Sequence, residues 1–263
     1  ALIIAKLRKN RIIIRPNSSP NIYAKHYMKK KIFKLFYSMA DKVILNSLDF
    51  KKEFKKKFSL DSEVIYNASL DKIQLKKLSS KKIKFDFFKK DKLSLKLISI
   101  GRLVRQKDHI TILKSINEIK NKIKLKLVLI GKGSEFENLK YYINKNKLSK
   151  IVKIMGYKSN IYPYLNSADI FVLSSIYEGM PNVLIEAISL NKIVISSDCP
   201  TGPRELLSKY KFGHLFSMKN YKQLSSIIIK MKKNKNYINQ NEDIRFNLDN
   251  NINKFKKIIN RLN

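Results

Sequence analysis

Two carboxylates, Glu178 and Glu186, stand with seven residues between them in YEGMPNVLIEA, residues 177–187. Gly179 and Pro181 shape a turn after Glu178, and Asn182 can cap a helix that begins there. Val183, Leu184, Ile185 and Ile188 make that helix largely apolar, so a carboxylate at 186 is poorly explained as a casual surface charge. A helix N-terminus with a carboxylate on each side suits a nucleotide-sugar. The free amides face the diphosphate, one carboxylate accepts hydrogen bonds from sugar hydroxyls, and the other accepts them from ribose. Two more loops complement this charge. In GRLVRQK, 101–107, Gly101 lets the backbone approach a ligand, and Arg102 and Lys107 place two cations beside a helix start. In GKGSE, 131–135, two glycines one residue apart permit a tight turn with free amides. Each loop also has a plainer meaning: two more cations in a basic chain, a turn with no ligand, a solvated loop charge. A lone G-x-G is weak, and the two-carboxylate loop is the most specific of the three.

The elements that must position these loops are short β-branched runs separated by helical patterns, as in a parallel α/β sheet. Strands are expected at 11–15, 41–47, 62–67, 95–100, 126–130, 151–155, 169–173 and 192–196. Helices are expected at 28–39, about 48–58, near 108–120, after Ser134, before about 166, from Asn182 and from Arg204. Ser134 with Glu137 three residues later reads as a capping box. The stretch 71–92 reads as a linker or inserted helix, and 219–231 and 239–262 as Lys-rich amphipathic helices. The implied fold class is α/β, doubly wound, with the candidate loops at strand C-termini where ligands of such sheets bind. A first domain is expected over 1–75, a second over 93–240 and a C-terminal helix over 241–263.

Bulk properties narrow the function classes. Length and a 44% hydrophobic content suit one large or two α/β domains. No apolar run approaches the roughly 18 residues of a membrane span. The opening ALIIAKLRKNRIIIR is interrupted by cations and lacks a cleavage site, so it is not read as a signal peptide, and its start in mid-pattern points to a segment of a longer chain. The single Cys199 excludes an internal disulfide and a multi-cysteine zinc site, and reads as a small space-filler in a reducing compartment. The formal charge of +36 has two readings, polyanion binding and compositional bias. Only eight of the 56 basic residues are Arg, and the lysines are dispersed, so no nucleic-acid partner is expected. Some affinity for an anionic membrane surface goes with the charge.

The ordered series GRL…K, G-x-G, IMGY, SADIFVLSS, EGMPNVLIEA and DCPTGPRE is similar to the "group 1" retaining GT-B glycosyltransferases. The resemblance is strong over about 93–215 and looser over 11–67, where ADKVILNS and EVIYN look like the end of a first domain. It implies a GT-B fold of two Rossmann-like domains, the first incomplete by roughly a hundred residues. Carried over, Arg102 and Lys107 contact the diphosphate, Glu178 the donor sugar and Glu186 the ribose. Backbone around Gly179, Met180, Pro181, Asn182, Val183 and Leu184 lines sugar and phosphates, and Gly131, Met155, Gly156 and Tyr157 lie beside the base. The resemblance implies transfer with retention, no cofactor and no metal, the leaving group being stabilised by Arg102, Lys107 and the helix N-terminus. A UDP-sugar donor, a glycan or lipid-linked acceptor and a cytoplasmic location on the inner membrane face follow from the same relatives. Asn17 stands where many members carry a histidine. His26 is poorly spaced to replace it, while His109 and His214 read as helix-start and loop residues. A nucleotide-sugar epimerase or hydrolase of the same fold, and a basic nucleic-acid-binding protein, are the alternatives.

Overall fold

The computed structural model describes residues 8–68, 71–88, 93–208, 213–233 and 244–262. The first domain contains β1 (Ile13–Ile14), α1 (Pro20–Tyr23), α2 (Tyr27–Ser38), β2 (Lys42–Leu45), α3 (Leu48–Phe58) and β3 (Glu63–Val64). Its strands are parallel in the order β1-β2-β3. Helix α3 shows how local sequence builds this unit. Ser47 Oγ accepts from Phe50 N, and Phe50, Phe54 and Phe58 recur every fourth residue on one buried stripe. The helix ends at Ser59 in the left-handed region, with Lys55, Lys56 and Lys57 at the negative end of its dipole. That stripe packs on Tyr37, Val43 and Leu45. In the stretch expected as linker or inserted helix, α4 (Lys72–Ser79) forms, started by Asp71 accepting from Gln74 N.

The second domain contains β4 (Leu95–Ile100), α5 (His109–Ile119), β5 (Leu125–Ile130), α6 (Phe136–Lys145), β6 (Val152–Ile154), α7 (Tyr162–Asn166), β7 (Ile170–Leu173), α8 (Asn182–Ser189), β8 (Ile193–Ser197), α9 (Pro203–Leu207), β9 (Gly213–Phe216) and α10 (Tyr221–Lys233). All six strands are parallel in the order β6-β5-β4-β7-β8-β9. Alternate strand residues feed two cores. Leu97, Leu127, Leu129 and Val172 meet Ile112, Ile116, Leu224 and Ile228 on one face. Ile98, Val128, Phe171 and Val194 meet Leu184, Ile188 and Leu206 on the other. The chain leaves β4 toward β5 on one side and returns to β7 on the other, so the β4/β7 boundary is the topological switch point. After a 3-10 turn at Ile244–Phe246, α11 (Leu248–Asn260) comes back to the first domain, where Ile258 packs on Ile44 and Ile65.

Three local expectations are corrected. The Ser134–Glu137 capping box does not form: α6 starts at Phe136 behind Glu135, with no side-chain cap bond. Backbone packing governs that turn instead, since Glu135 N donates to Leu103 O, while the Glu135 carboxylate pairs with Arg105 at 3.6 Å. Asn182 does not cap α8 either, because Pro181 holds the cap position and the Asn182 side chain is used elsewhere. His214 lies within β9, a short strand without a branched apolar run and so unforeseen.

Candidate functional site

The switch point brings the loops after β4 and β7 into direct contact. Lys107 closes the 3-10 turn Arg105–Lys107, and its Nζ lies 2.5 Å from Glu178 Oε1. The pair is largely closed to solvent, with side chains 14% and 8% exposed. Ser175 Oγ, at the end of β7, donates to the same carboxylate oxygen at 2.5 Å. Gln106 ties the loops at their backbones, donating through Nε2 to Tyr177 O at 2.9 Å and accepting from Ile176 N at 2.8 Å through its own carbonyl. Arg102 stays exposed, its guanidinium making a long bond of 3.4 Å to Gln106 Oε1. One cation is thus held inside by a carboxylate, and one is open to a ligand arriving from solvent.

Beneath the Glu178 loop runs the SDCPTGP segment after β8. Thr201 Oγ1 donates to Glu178 O, and Ser197 Oγ donates to Ser175 O at 2.6 Å. Cys199 is buried here, and burial followed by the Glu178 charge pushes its thiol up to about 12, so it is an inert filler. The amides of Asn182, Val183 and Leu184 open α8 next to this loop, Met180 and Leu184 face the core, and no acidic residue occupies the first turn.

Glu186 is placed apart from the Lys107–Glu178 pair. It is the fifth residue of α8, and Tyr162 Oη donates to its Oε1 at 3.1 Å. Burial pushes this carboxyl above its ordinary range, and the Tyr162 bond acts in the opposite sense. Tyr162 opens α7, five residues beyond the Met155–Gly156–Tyr157 turn. Gly131 N donates to Gly156 O at 2.9 Å, so these two predicted base-side positions meet, and Tyr157 is exposed. A Cβ at Gly131 would sit 1.8 Å from Gly101 O. The G-x-G glycine is therefore required by the close approach of the β5 loop to the β4 loop, whatever binds there.

The first domain meets this face mostly with neutral groups. A Cβ on Gly179 would lie 2.4 Å from Asn17 O, so only glycine fits between the two domains at that point. Asn67 Nδ2 donates to Asn182 Oδ1 at 2.6 Å and to Met180 O at 3.3 Å, and Arg15 Nη2 donates to Asn67 Oδ1 at 2.9 Å. Asn46, at the end of β2, is buried beside Gly179 with its Oδ1 unpartnered among the described residues. Glu205 reaches across the seam as well, to Leu48 N and Asp49 N. Sequence reasoning missed Ser175, Gln106, Thr201, Asn67 and Glu205. Ser175 and Gln106 stand within or beside the singled-out loops, and for Ser175 a polar residue just past a buried strand is the signal that marks it. Among the described residues no group of three or more His, Cys, Asp or Glu side chains is placed to hold a metal ion.

A doubly wound parallel sheet with charged loops at its switch point, faced by a second parallel unit, defines the class: a two-domain α/β protein whose candidate site lies where the two units meet. The chain belongs to the glycosyl transferases group 1, whose family model matches residues 80–251. An uncharacterized glycosyltransferase of Methanocaldococcus jannaschii is 36% identical over 180 residues, covering 66% of this chain and 44% of the relative. The N-acetylgalactosamine-N,N'-diacetylbacillosaminyl-diphospho-undecaprenol 4-alpha-N-acetylgalactosaminyltransferase of Campylobacter jejuni is 30% identical over 220 residues, covering 81% of this chain and 58% of the relative. The chain thus spans about half the length of these curated relatives. Among solved structures, HepE of Anabaena in complex with UDP and glucose superposes with a TM-score of 0.83 at 18% identity, over 98% of this chain and 74% of that one. The fold is GT-B-like, as the sequence resemblance implied.

Proposed function

We propose that this chain forms the donor side, and part of the acceptor side, of a glycosyltransferase that moves a sugar from a UDP-sugar to a glycan or lipid-linked acceptor with retention of configuration. The observation that carries the reading is the meeting of Lys107, Glu178 and the start of α8 at the β4/β7 switch point, with Arg102 open to solvent beside them. A lysine ammonium has three protons, so Lys107 can keep one bond to Glu178 and offer the others to a diphosphate. Arg102 and the N-terminal amides of α8 supply further positive charge. As the anomeric C–O bond breaks, charge moves onto the departing diphosphate, and these fixed donors stabilise it without reorganising. The proposed chemistry is metal-independent. The second oxygen of Glu178 is left for a sugar hydroxyl, and Glu186 beside Tyr162 for the ribose.

UDP as donor nucleotide is supported by the UDP named with the similar HepE structure, and a lipid-linked acceptor by the diphospho-undecaprenol in the Campylobacter relative's name. An inner-face cytoplasmic location is supported by α2, where Met28, Ile32 and Leu35 are exposed along one helical face among Lys29, Lys30, Lys31 and Lys34. No helix among the described residues is long and apolar enough to cross a membrane. The test is to supply a UDP-sugar and a polyprenyl-diphosphate-linked sugar, with and without a chelator, and read the new linkage by NMR. The expected product keeps the donor's anomeric configuration in both conditions. An inverted linkage, or release of free sugar alone, would contradict the proposal.

A further inference from the structure

The TGPRE segment, 201–205, faces two ways. Thr201 holds the Glu178 carbonyl, and Gly202, at φ +89°, packs so closely that a Cβ there would lie 2.6 Å from Gly179 O. Its last residue turns away from the site. Glu205 Oε1 accepts from Leu48 N at 3.0 Å and from Tyr66 Oη at 2.5 Å, and Glu205 Oε2 accepts from Asp49 N at 2.9 Å. All three donors are more than a hundred residues away in sequence: Leu48 and Asp49 open α3 of the first domain, and Tyr66 follows β3 with its ring in the second domain's core. Ser47 Oγ takes the next amide of α3, Phe50 N, so the opening turn of that helix is capped half by its own domain and half by the other. Arg245 joins the contact, donating from Nη1 to Glu205 O at 3.2 Å with its guanidinium 5.8 Å from the Tyr66 ring. Asp49 brings a like charge nearby, offset by Lys52 and Arg204.

We propose that Glu205 is a positioning residue: its carboxylate clasps the N-terminus of α3 and so holds the first domain against the loop that carries Glu178. Two bonds of the carboxylate, from Leu48 N and Asp49 N, cross to the first domain, which separates this role from stabilising α9 locally. Thr201 and Gly202 seat the Glu178 loop from the same segment, so the clasp and the seat of that loop are neighbours on one stretch of chain. Only the statement that this loop binds the donor rests on the function proposed above; the clasp itself does not.

The experiment measures the distance between spin labels on Lys56→Cys in α3 and Lys222→Cys in α10, both exposed positions, in a Cys199→Ala background. The parent should give one narrow distribution, Glu205→Ala a broad or lengthened one, and Glu205→Gln, which keeps one accepting oxygen, an intermediate one. Amide exchange at Leu48 and Asp49 should quicken by about tenfold or more in Glu205→Ala. A parent-like distance with slow exchange at both amides in folded Glu205→Ala would overturn the clasp. If that variant does not fold, Glu205→Gln decides by the same readouts. UDP affinity should stay within about threefold of the parent, because Thr201 and Gly202 still seat the loop. If UDP binds neither protein while the distance still broadens, the clasp stands and the donor reading falls.

Discussion

The two walls that meet at the interdomain contact use different chemistry. The second-domain wall carries the charges, with Lys107 and Glu178 paired inside and Arg102 exposed. The first-domain wall opposite meets it with neutral groups, the Asn17 carbonyl, the buried Asn46 amide and the Asn67 amide, with the Arg15 guanidinium behind Asn67. A buried ion pair keeps strong directional donors in place but is costly if one member is lost. Neutral amides make and release bonds at small cost, which suits a surface that must open to admit ligands. The buried ion pair lies on one wall, and the contacts that join the two domains at Gly179 and Asn182 come mostly from neutral groups of the other.

The largest expected effect breaks the charged wall. Lys107→Met or Glu178→Ala leaves a buried charge alone and should cost about 3–5 kcal/mol in urea unfolding, with the double variant losing less than the sum. Equal losses that add would show the pair to be uncoupled. Next is the contact between the walls. Gly179→Ala forces a methyl group against Asn17 O and should cost about 1–3 kcal/mol. Asn67→Ala removes neutral bonds on the closing wall and should cost about 1 kcal/mol, a smaller loss that sharpens the contrast.

The smallest effect concerns pH. His109, the first residue of α5 behind Lys107, is buried, and burial followed by the Lys107 charge pushes its imidazole down to about 4 from 6.5. The unfolded chain binds more protons than the folded one between those values, so this residue's contribution to stability is full above 6.5 and fades as pH falls toward about 4. His109→Leu should flatten the melting temperature across that window, and an unchanged acid slope would contradict it.

Much of this architecture is legible in the amino-acid sequence. The every-fourth Phe spacing defines α3, the branched runs define β4 and β5 residue for residue or nearly so, and the order of strand-end loops points to the switch point. What escapes is long-range or neutral. Nothing in TGPRE says that Glu205 caps a helix opening at Leu48, and an asparagine such as Asn67 carries no period or charge pattern to mark it. The capping box at Ser134 is locally well formed, yet packing of its turn on Leu103 overrides it. The Lys107–Glu178 pair joins two residues that each stand out in the sequence, but for separate parts of one ligand.

Nucleoside diphosphate binding at the β4/β7 switch point underlies the proposed function. Calorimetric titration with UDP, GDP and ADP, with and without magnesium, on the parent, Arg102→Ala and Glu186→Ala tests it most directly. Arg102 is exposed, so its loss should leave stability within about 0.5 kcal/mol while weakening binding about tenfold or more. Metal-independent binding is expected, tightest for UDP and weakened in both variants. Absence of binding by the folded parent, or binding untouched by both substitutions, would contradict it.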